Sequence, residues 1–591
     1  MTFDIVIVSY HSERWLPGCI AVLAAARFDL QRLHITVVDN ASGTECVQAL
    51  RRLAAAYPQF GSFRLIENAK NEGFGRACNR GAKAGSAPWL FFLNPDCEVA
   101  PDLFSQLERG IARHAEAGGF ECRQLPYEQS HHVDPCTLHT PWASGAAMVV
   151  ARRVFDAVGG FDKHLFMYCE DVDLSWRIRA AGHPLVFLPQ AVVVHHVLHR
   201  EDDAASERRE YVCTALGRLL LSYKYGVAWH GNRRYLATLR HPRHFEGVRR
   251  LLLKNYLKHF VQLWPFWLWR WGHRRAFRVA EPQLALEGFA PERGRAVLEK
   301  RVTNGPRISV VIRTHRRPAV LRGALQSLAN QTYAPHEVIV VEDGEATSGE
   351  VVAEFATLPI CYHATGQNVG RGRAGNLGLE MASGEYLNFL DDDDAFYPDH
   401  LELMAERAMA HPEADLILGR AMVMQVEVES HEPYRYTVKD LQLFRFDRID
   451  LFTMCQTCQV PIQTGLFKKS LFEACGGLAE HHDGYEDWAM WLRFLKRAVR
   501  IDPIHVDIHR ATSVFLIPAG RRDATERASY YHDGYEALVG DDAFRFEVSL
   551  AEMRQFYDGF VADMAAVRNA GLDKLDEYLR YQARRDEDRH S

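Results

Sequence analysis

The chain has 591 residues, 47% hydrophobic and 25% charged, with a formal net charge of -6. At roughly 100–200 residues per domain that length holds more than one core, and the mildly acidic balance argues against general nucleic-acid binding. No run reaches the ~18 apolar residues of a membrane-spanning helix. The twelve cysteines include only one CxxC, Cys455 and Cys458, with no second pair for a zinc site. Scattered thiols fit a reducing, cytoplasmic compartment. The chain enters directly on a strand (FDIVIVSY), so no signal peptide is visible.

Asp4 to Val8 runs into continuous apolar residues, as a buried parallel strand does, and ends on Ser9-Tyr10-His11. A helical pattern follows (Trp15, Cys19, Val22, Leu23), then a strand from His34 to Val38 closing on Asp39-Asn40. A helix from Glu45 to Tyr57, a short strand near Leu65, a Gly-rich turn at Asn71 and a strand from Trp89 to Leu93 complete the run. The alternation predicts a mostly parallel sheet covered on both faces. Ser9, Asp39, Asn40, Asn94 and Asp96 gather after strand C-termini, the edge where open α/β sheets bind ligands. Taken alone, Asp96 in Asn-Pro-Asp is good turn chemistry.

Between residues 204 and 280 sixteen Lys or Arg stand against three acids, with Trp229, Trp264, Trp267, Trp269 and Trp271 among them. From Phe245 to Val261 a helical face (Val248, Leu251, Leu252, Tyr256, Leu257) is interleaved with Arg249, Arg250, Lys254 and Lys258. Two readings stand side by side. One is a basic amphipathic helix on an anionic membrane surface; the other is a helical linker with a solvated basic side.

The second half then restates the first. Its strands run from Ser309 to Ile312, ending on Arg313-Thr314-His315, and from Glu337 to Val341. Residues Asn368 to Asp399 match Asn71 to Asp102 at a constant shift of 297, without a gap, with fourteen of thirty-two pairs identical. The shared positions include Asn71/Asn368, Arg76/Arg373 and Asp96/Asp393. Such a repeat predicts two copies of one domain. After the apolar strand Tyr386–Leu390 come four aspartates, Asp391 to Asp394. Adjacent carboxylates repel unless a cation sits among them, and a hard divalent ion is the natural occupant. Each copy also carries a Gly-Gly turn followed by an acidic pair, Glu170-Asp171 and Glu486-Asp487, with Arg177 and Arg493 six residues after the Asp. Helix capping and Glu–Arg pairing are the structural alternative for these acids.

With the acidic loop and the late Glu-Asp pair in place, both copies resemble family 2 glycosyltransferases of the GT-A fold, in tandem as in bacterial surface-polysaccharide assembly. The resemblance implies an α/β chain of two nucleotide-sugar-binding domains, 1–205 and 304–520, joined by a mostly helical basic segment, 206–303, with a helical extension over 521–591. It implies inverting transfer with Asp171 and Asp487 as bases. It implies a divalent cation, Mn2+ or Mg2+, more secure in the second copy, where Asp391 and Asp393 form the acidic motif. The first copy has the Asn94-Pro95-Asp96 variant of rhamnosyltransferase-like members. His195 or His196, and His509, match a late metal-ligand histidine or are plain structural histidines. Asp39 and Asp343 lie where an acid meets the nucleobase, although the copies read Asp39-Asn40 and Glu342-Asp343, so that either residue of each pair can make the contact; Ser9, Asn71, Asn94, Thr314, Asn368 and Asp392 lie on the same donor-binding rim. Arg76 and Arg373 approach the phosphates or are solvated. The implied partners are a dTDP-rhamnose-like donor for the first copy, a UDP- or GDP-sugar for the second, and a lipid-linked glycan or glycolipid acceptor. The implied location is cytoplasmic, on the inner face of the plasma membrane. Two alternatives remain: a polymerase adding two sugars alternately, and a first copy that only binds acceptor, as the missing acid at Asn94 suggests.

Overall fold

The computed structural model describes residues 1–196, 204–225, 228–240, 247–273, 293–444 (except 295), 458–497 (except 482 and 483), 510–518, and the single positions 449, 454 and 554. The expected helical extension (Arg554 apart), the expected ligand His509 and Cys455 of the CxxC pair lie outside the described residues.

The first half begins β1 (Phe3–Ser9), α1 (Leu16–Ala24), β2 (Leu33–Asp39), α2 (Thr44–Ala56), β3 (Ser62–Glu67), α3 (Phe74–Ala82) and β4 (Trp89–Leu93). It continues β5 (Cys97–Val99), α4 (Leu103–Arg113), β6 (Gly119–Leu125), β7 (Ala147–Ala151), α5 (Arg152–Ala157), α6 (Glu170–Ala180) and β8 (Leu185–His195). Three helices follow, α7 (Ala204–Tyr225), α8 (Ala228–Arg240) and α9 (Val248–His273). The second half opens β9 (Ile308–Thr314), α10 (Pro318–Ala329), β10 (Glu337–Glu342), α11 (Gly349–Glu354), β11 (Ile360–Ala364), α12 (Arg371–Met381), β12 (Tyr386–Phe389) and β13 (Ala395–Phe396). After these come α13 (His400–Ala410), β14 (Leu416–Leu418), β15 (Arg420–His431), β16 (Tyr434–Leu443), β17 (Gly465–Lys468), α14 (Lys469–Cys475), α15 (Glu486–Arg497) and β18 (Ala511–Pro518).

One five-strand pattern is built twice. The first sheet orders its strands β3-β2-β1-β4-β7-β6-β8-β5, the second β11-β10-β9-β12-β17-β14, and a small sheet β13-β18-β15-β16 flanks the second. In each, the first four strands are parallel and the fifth is antiparallel. Successive side chains leave a strand on opposite faces, so Phe3, Ile5 and Ile7 enter one core cluster and Val6 and Val8 another. That two-sided cover is why every residue of β1 is buried.

Register fixes which residues correspond. Phe3 faces Trp89 and Ile308 faces Tyr386, so Arg313 takes the place of Val8 and Thr314 that of Ser9. Ser9 in turn faces Asp39, and Thr314 faces Glu342. Asp39 therefore corresponds to Glu342, and Asp343 to Asn40. The offset read between Asp39-Asn40 and Glu342-Asp343 is thus a position-for-position match of the two pairs.

The basic segment is helical, as expected, and packs onto the first half. Val212, Leu219, Val248, Leu252, Leu263 and Phe266 share a core with Leu165, Val172 and Trp176. Lys224 of α7 is buried between Asp162 (2.7 Å) and Asp173 of α6 (2.6 Å). The two halves meet through a buried ionic cluster. Arg123 of β6 pairs with Glu128 and with Glu402 of α13, while Arg510 pairs with Glu128 and Asp399. Arg293 pairs with Asp399 and lies over the Tyr397 ring.

Candidate active sites

In the first half the strand-end rim, the acidic loop and the N-terminus of α6 converge. Asn94 N–H donates to the Ala146 carbonyl at 2.9 Å. Next to it, Gly145 N–H donates to Asp171 Oδ2 at 2.9 Å, and Val172 N–H to Oδ1 at 2.8 Å. The chain enters α6 through Tyr168 and Cys169, both left-handed (φ 67° and 72°), a strained approach of the kind found where a side chain must be aimed. Burial pushes the Asp171 carboxyl up, against these hydrogen bonds. Glu170 is pushed up to about 8 by burial and then by Asp171.

Asp96 and His195 come together here. His195 Nε2 lies 3.4 Å from Asp96 Oδ1, and Nδ1 is 3.0 Å from Gln124 Oε1. With Nδ1–H donated to Gln124, Nε2 turns a lone pair toward the carboxylate. Two such acceptors sit comfortably only with a proton or a cation between them. Cys97 Sγ is the third group within 4.8 Å of both. The donor set of the first half thus fits a divalent ion.

The second half solves the same problem differently. Arg313 donates to Asp391 through Nε (2.7 Å) and to Glu486 through Nη1 (2.7 Å), so one guanidinium spans the acidic loop and the start of α15. Arg371 reaches Glu486 at 2.7 Å, and Arg317 holds both Asp392 and Asp393. Although burial opposes it, Arg313 keeps Asp391 below the ordinary carboxylate range. Burial pushes Asp392 up to about 7 and Asp394 well above its usual value. Arg313 and Arg317 thus offset part of the crowding among these carboxylates, which a divalent ion would share. A cation joining Asp391 and Asp393 has to compete with Arg313 and Arg317. No histidine stands at the matching strand position either. Glu98 faces Val194 and Ala395 faces Val514, which puts Phe515 in the place of His195. Burial, then Glu486, pushes the Asp487 carboxyl up to about 7, and Oδ1 accepts from Trp488 N–H at 2.8 Å.

The halves differ by a concerted set of charges. Where the second has Asp391, Arg313 and Arg371, the first has Asn94, Val8 and Phe74. The missing acid at Asn94 is matched by missing arginines, and Glu170 is left to take up a proton.

The remaining residues sit around this rim. Ser9 and Thr314 are buried at their strand ends, and Thr314 Oγ1 donates to Asp392 at 2.6 Å. Asp39 is buried, with Oδ2 accepting from Ser42 N–H at 3.2 Å. Asn40 instead ties down the Gly-rich turn, accepting from Glu72 N–H and donating to Asn71 Oδ1, each at 3.0 Å. Asp343 does the same for its own turn, accepting from Val369 N–H (2.6 Å) and Gly370 N–H (3.1 Å). Asn71 and Asn368 close those turns onto the Gly73 and Gly370 N–H groups. Gly73 is required there: its φ is +86°, and a Cβ would lie 2.2 Å from the Phe166 carbonyl oxygen. Arg76 is committed to the Lys163 carbonyl (2.6 Å) and Arg373 to Glu380 (2.8 Å). The arginines that reach the acidic groups are Arg313, Arg317 and Arg371. Of these, Arg313 and Arg317 fall in Arg-Thr-His-Arg-Arg at the end of β9, a dense basic run that is the one sequence signal that could have found them.

A family model, glycosyl transferase family 2, matches residues 4–139 and again residues 309–474. The chain belongs to glycosyl transferase family 2. Both matches take in the strand-end rim and the acidic loop; Asp171 and Asp487 lie beyond them. The family 2 chain is 29% identical over 246 residues to the N-acetylglucosaminyl-diphospho-decaprenol L-rhamnosyltransferase of Mycobacterium tuberculosis, covering 33% of this chain and 76% of that protein. It is 30% identical over 190 residues to the uncharacterized glycosyltransferase YwdF of Bacillus subtilis, covering 32% of this chain and 68% of that protein. Among solved structures it is similar to the mannosyltransferase PcManGT of Pyrobaculum calidifontis in complex with GDP-Man and Mn2+. That likeness has 17% identity and a TM-score of 0.33, over 48% of this chain and 77% of the other. The family match over both halves makes the chain a glycosyltransferase with two α/β units, the first and second modules.

Proposed function

We propose that the chain is a bifunctional inverting glycosyltransferase, each module moving one sugar from a nucleotide-sugar donor to a lipid-linked glycan in bacterial polysaccharide assembly. The observation that carries this reading is the doubled Glu-Asp pair. In each module it opens a helix beside the acidic loop, and burial pushes the Asp carboxyl up. Asp171 or Asp487 accepts the acceptor hydroxyl proton as that oxygen attacks the anomeric carbon. The bond to the diphosphate breaks on the opposite face, which inverts the centre. A base with a raised pKa holds that proton better than an ordinary Asp. The similarity to an L-rhamnosyltransferase of M. tuberculosis supports a rhamnose donor for one module, and the Asn94-Pro95-Asp96 loop assigns it, as a dTDP-rhamnose-like donor, to the first. A UDP- or GDP-sugar remains the reading for the second.

Asp96 and His195 would hold a divalent cation in the first module, Mn2+ suiting the mixed carboxylate and imidazole set better than Mg2+. Bound there, such an ion supplies charge neutralisation for the departing diphosphate. In the second module the corresponding carboxylates are taken by arginines. The first module's transfer is therefore expected to half-saturate at a Mn2+ concentration roughly tenfold lower than the second's, since displacing a guanidinium from a buried pair costs energy. Titrating Mn2+ into chelator-treated enzyme, with each transfer followed separately, checks this; a lower requirement in the second module would contradict it. The concerted change at Asn94, Val8 and Phe74 favours an active first module over one reduced to acceptor binding. Product masses decide the function: one or two added sugars support the proposal, a ladder indicates a polymerase, and no addition with any donor and lipid-linked acceptor counts against it.

A further inference from the structure

Helix α9 has two apolar faces where its sequence suggested one. Val248 and Leu252 point inward, joined by Leu263 and Phe266. Leu257, expected on the same face, instead belongs to an outward row. Leu253 (47% exposed), Leu257 (65%), Phe260 (61%), Trp264 (61%) and Leu268 (50%) fall within about 80° of arc at roughly 100° per residue. Exposed large apolar side chains usually occur singly; a row of five marks an interaction surface. Arg249, Arg250, Lys254 and Lys258 are exposed on the same helix, and α9 contains no acidic residue. Among the described residues no helix is long and apolar enough to cross a membrane.

We propose that α9 lies in the plane of an anionic bilayer surface, with Leu253, Leu257, Phe260, Trp264 and Leu268 among the upper acyl chains and the four basic residues at the lipid headgroups. The charge pattern selects this occupant. A second copy packed on the same row would bring two sets of four cations together with no acid on either helix to offset them. An anionic lipid surface offers acyl chains to the row and phosphates to its flanks. Docking also has a mechanical consequence. Phe266 packs edge-on against His164 (5.8 Å), and Lys224 ties α7 to Asp162 and Asp173. A bilayer against α9 thus holds α6 and Asp171 at a fixed height above the lipid. This consequence, unlike the docking itself, rests on the reading of a lipid-linked acceptor.

The test is flotation of the full chain with vesicles of phosphatidylcholine alone or with about one-third phosphatidylglycerol, without donor or acceptor. Binding to the anionic vesicles is expected. It should fall roughly tenfold or more in L257S/F260S, from lost apolar burial. It should also fall roughly twenty-five-fold in K254Q/K258Q, at about fivefold per charge, and with added salt. Donor turnover with a water-soluble acceptor should be unchanged in both variants, which shows that they fold. Absence of wild-type flotation, or equal flotation of wild type and both variants, overturns the proposal. So does a wild-type dimer that L257S/F260S converts to monomer, which would assign the row to a second copy. Flotation without glycosyl transfer would sink only the catalytic reading; transfer without flotation would sink only this one.

Discussion

Arg313 and Val8 stand at the same point of the same strand, yet one is a buried cation between two carboxylates and the other an ordinary core residue. The difference makes a direct prediction about stability. R313V strands Asp391 and leaves Glu486 to Arg371 alone, and should destabilise the second module by about 3 kcal/mol, because removing one partner leaves buried charge unpaired. Adding D391N copies more of the first module's set and should recover at least a third of that loss; thermal unfolding of the two variants measures it. A pH prediction follows from Asp487. The base must be ionised, and its carboxyl is pushed up to about 7, first by burial and then by Glu486. The second module's kcat/KM should therefore fall roughly tenfold per unit below about pH 7. An acid limb near 4, the range of an ordinary Asp, would show that Asp487 is not so perturbed. At this scale the sequence revealed acids better than their partners. Asp96 stands out because the repeat marks it, Asp391 through its run of four aspartates, and Asp171 and Asp487 through the Glu-Asp pair after each Gly-Gly turn. Arg313, Arg371 and Gln124 were not, since their roles exist only once distant strands and helix ends meet.

Elements were legible wherever local pattern and packing agree. The strand Trp89–Leu93 is observed as read, because an apolar run bounded by turn residues has one way to be buried. The offset between Asp39-Asn40 and Glu342-Asp343 is visible in the sequence, but which residues match is not, because strand register depends on pairing partners rather than on the strand itself. Helix α9 was half legible: its period gave a helix, but two opposed apolar faces look from sequence like one broad one. The basic segment's tie to the first module is testable at the element scale. K224M leaves Asp162 and Asp173 buried without their ammonium and should cost about 3 kcal/mol. Because Asp173 lies on α6, the first module's transfer should fall while the second's persists. Equal loss of both transfers would show that the segment supports the molecule as a whole.

At the scale of the whole molecule, the repeat made two modules evident, whereas their mutual packing left no trace in the pattern. Arg123, Arg293 and Arg510 with Glu128, Asp399 and Glu402 are spread over almost four hundred residues and only become a cluster in the fold. The cluster buries charge from both halves, so cutting the chain between them would expose it, and the modules are best compared in the intact chain. Turnover of a panel of nucleotide sugars by wild type, D171N and D487N tests whether this single chain holds two independent transfer sites. Two donors, each losing at least roughly a hundredfold in rate with a different substitution, is the predicted result. One donor lost with either substitution in a folded protein, or turnover that survives both, would contradict it.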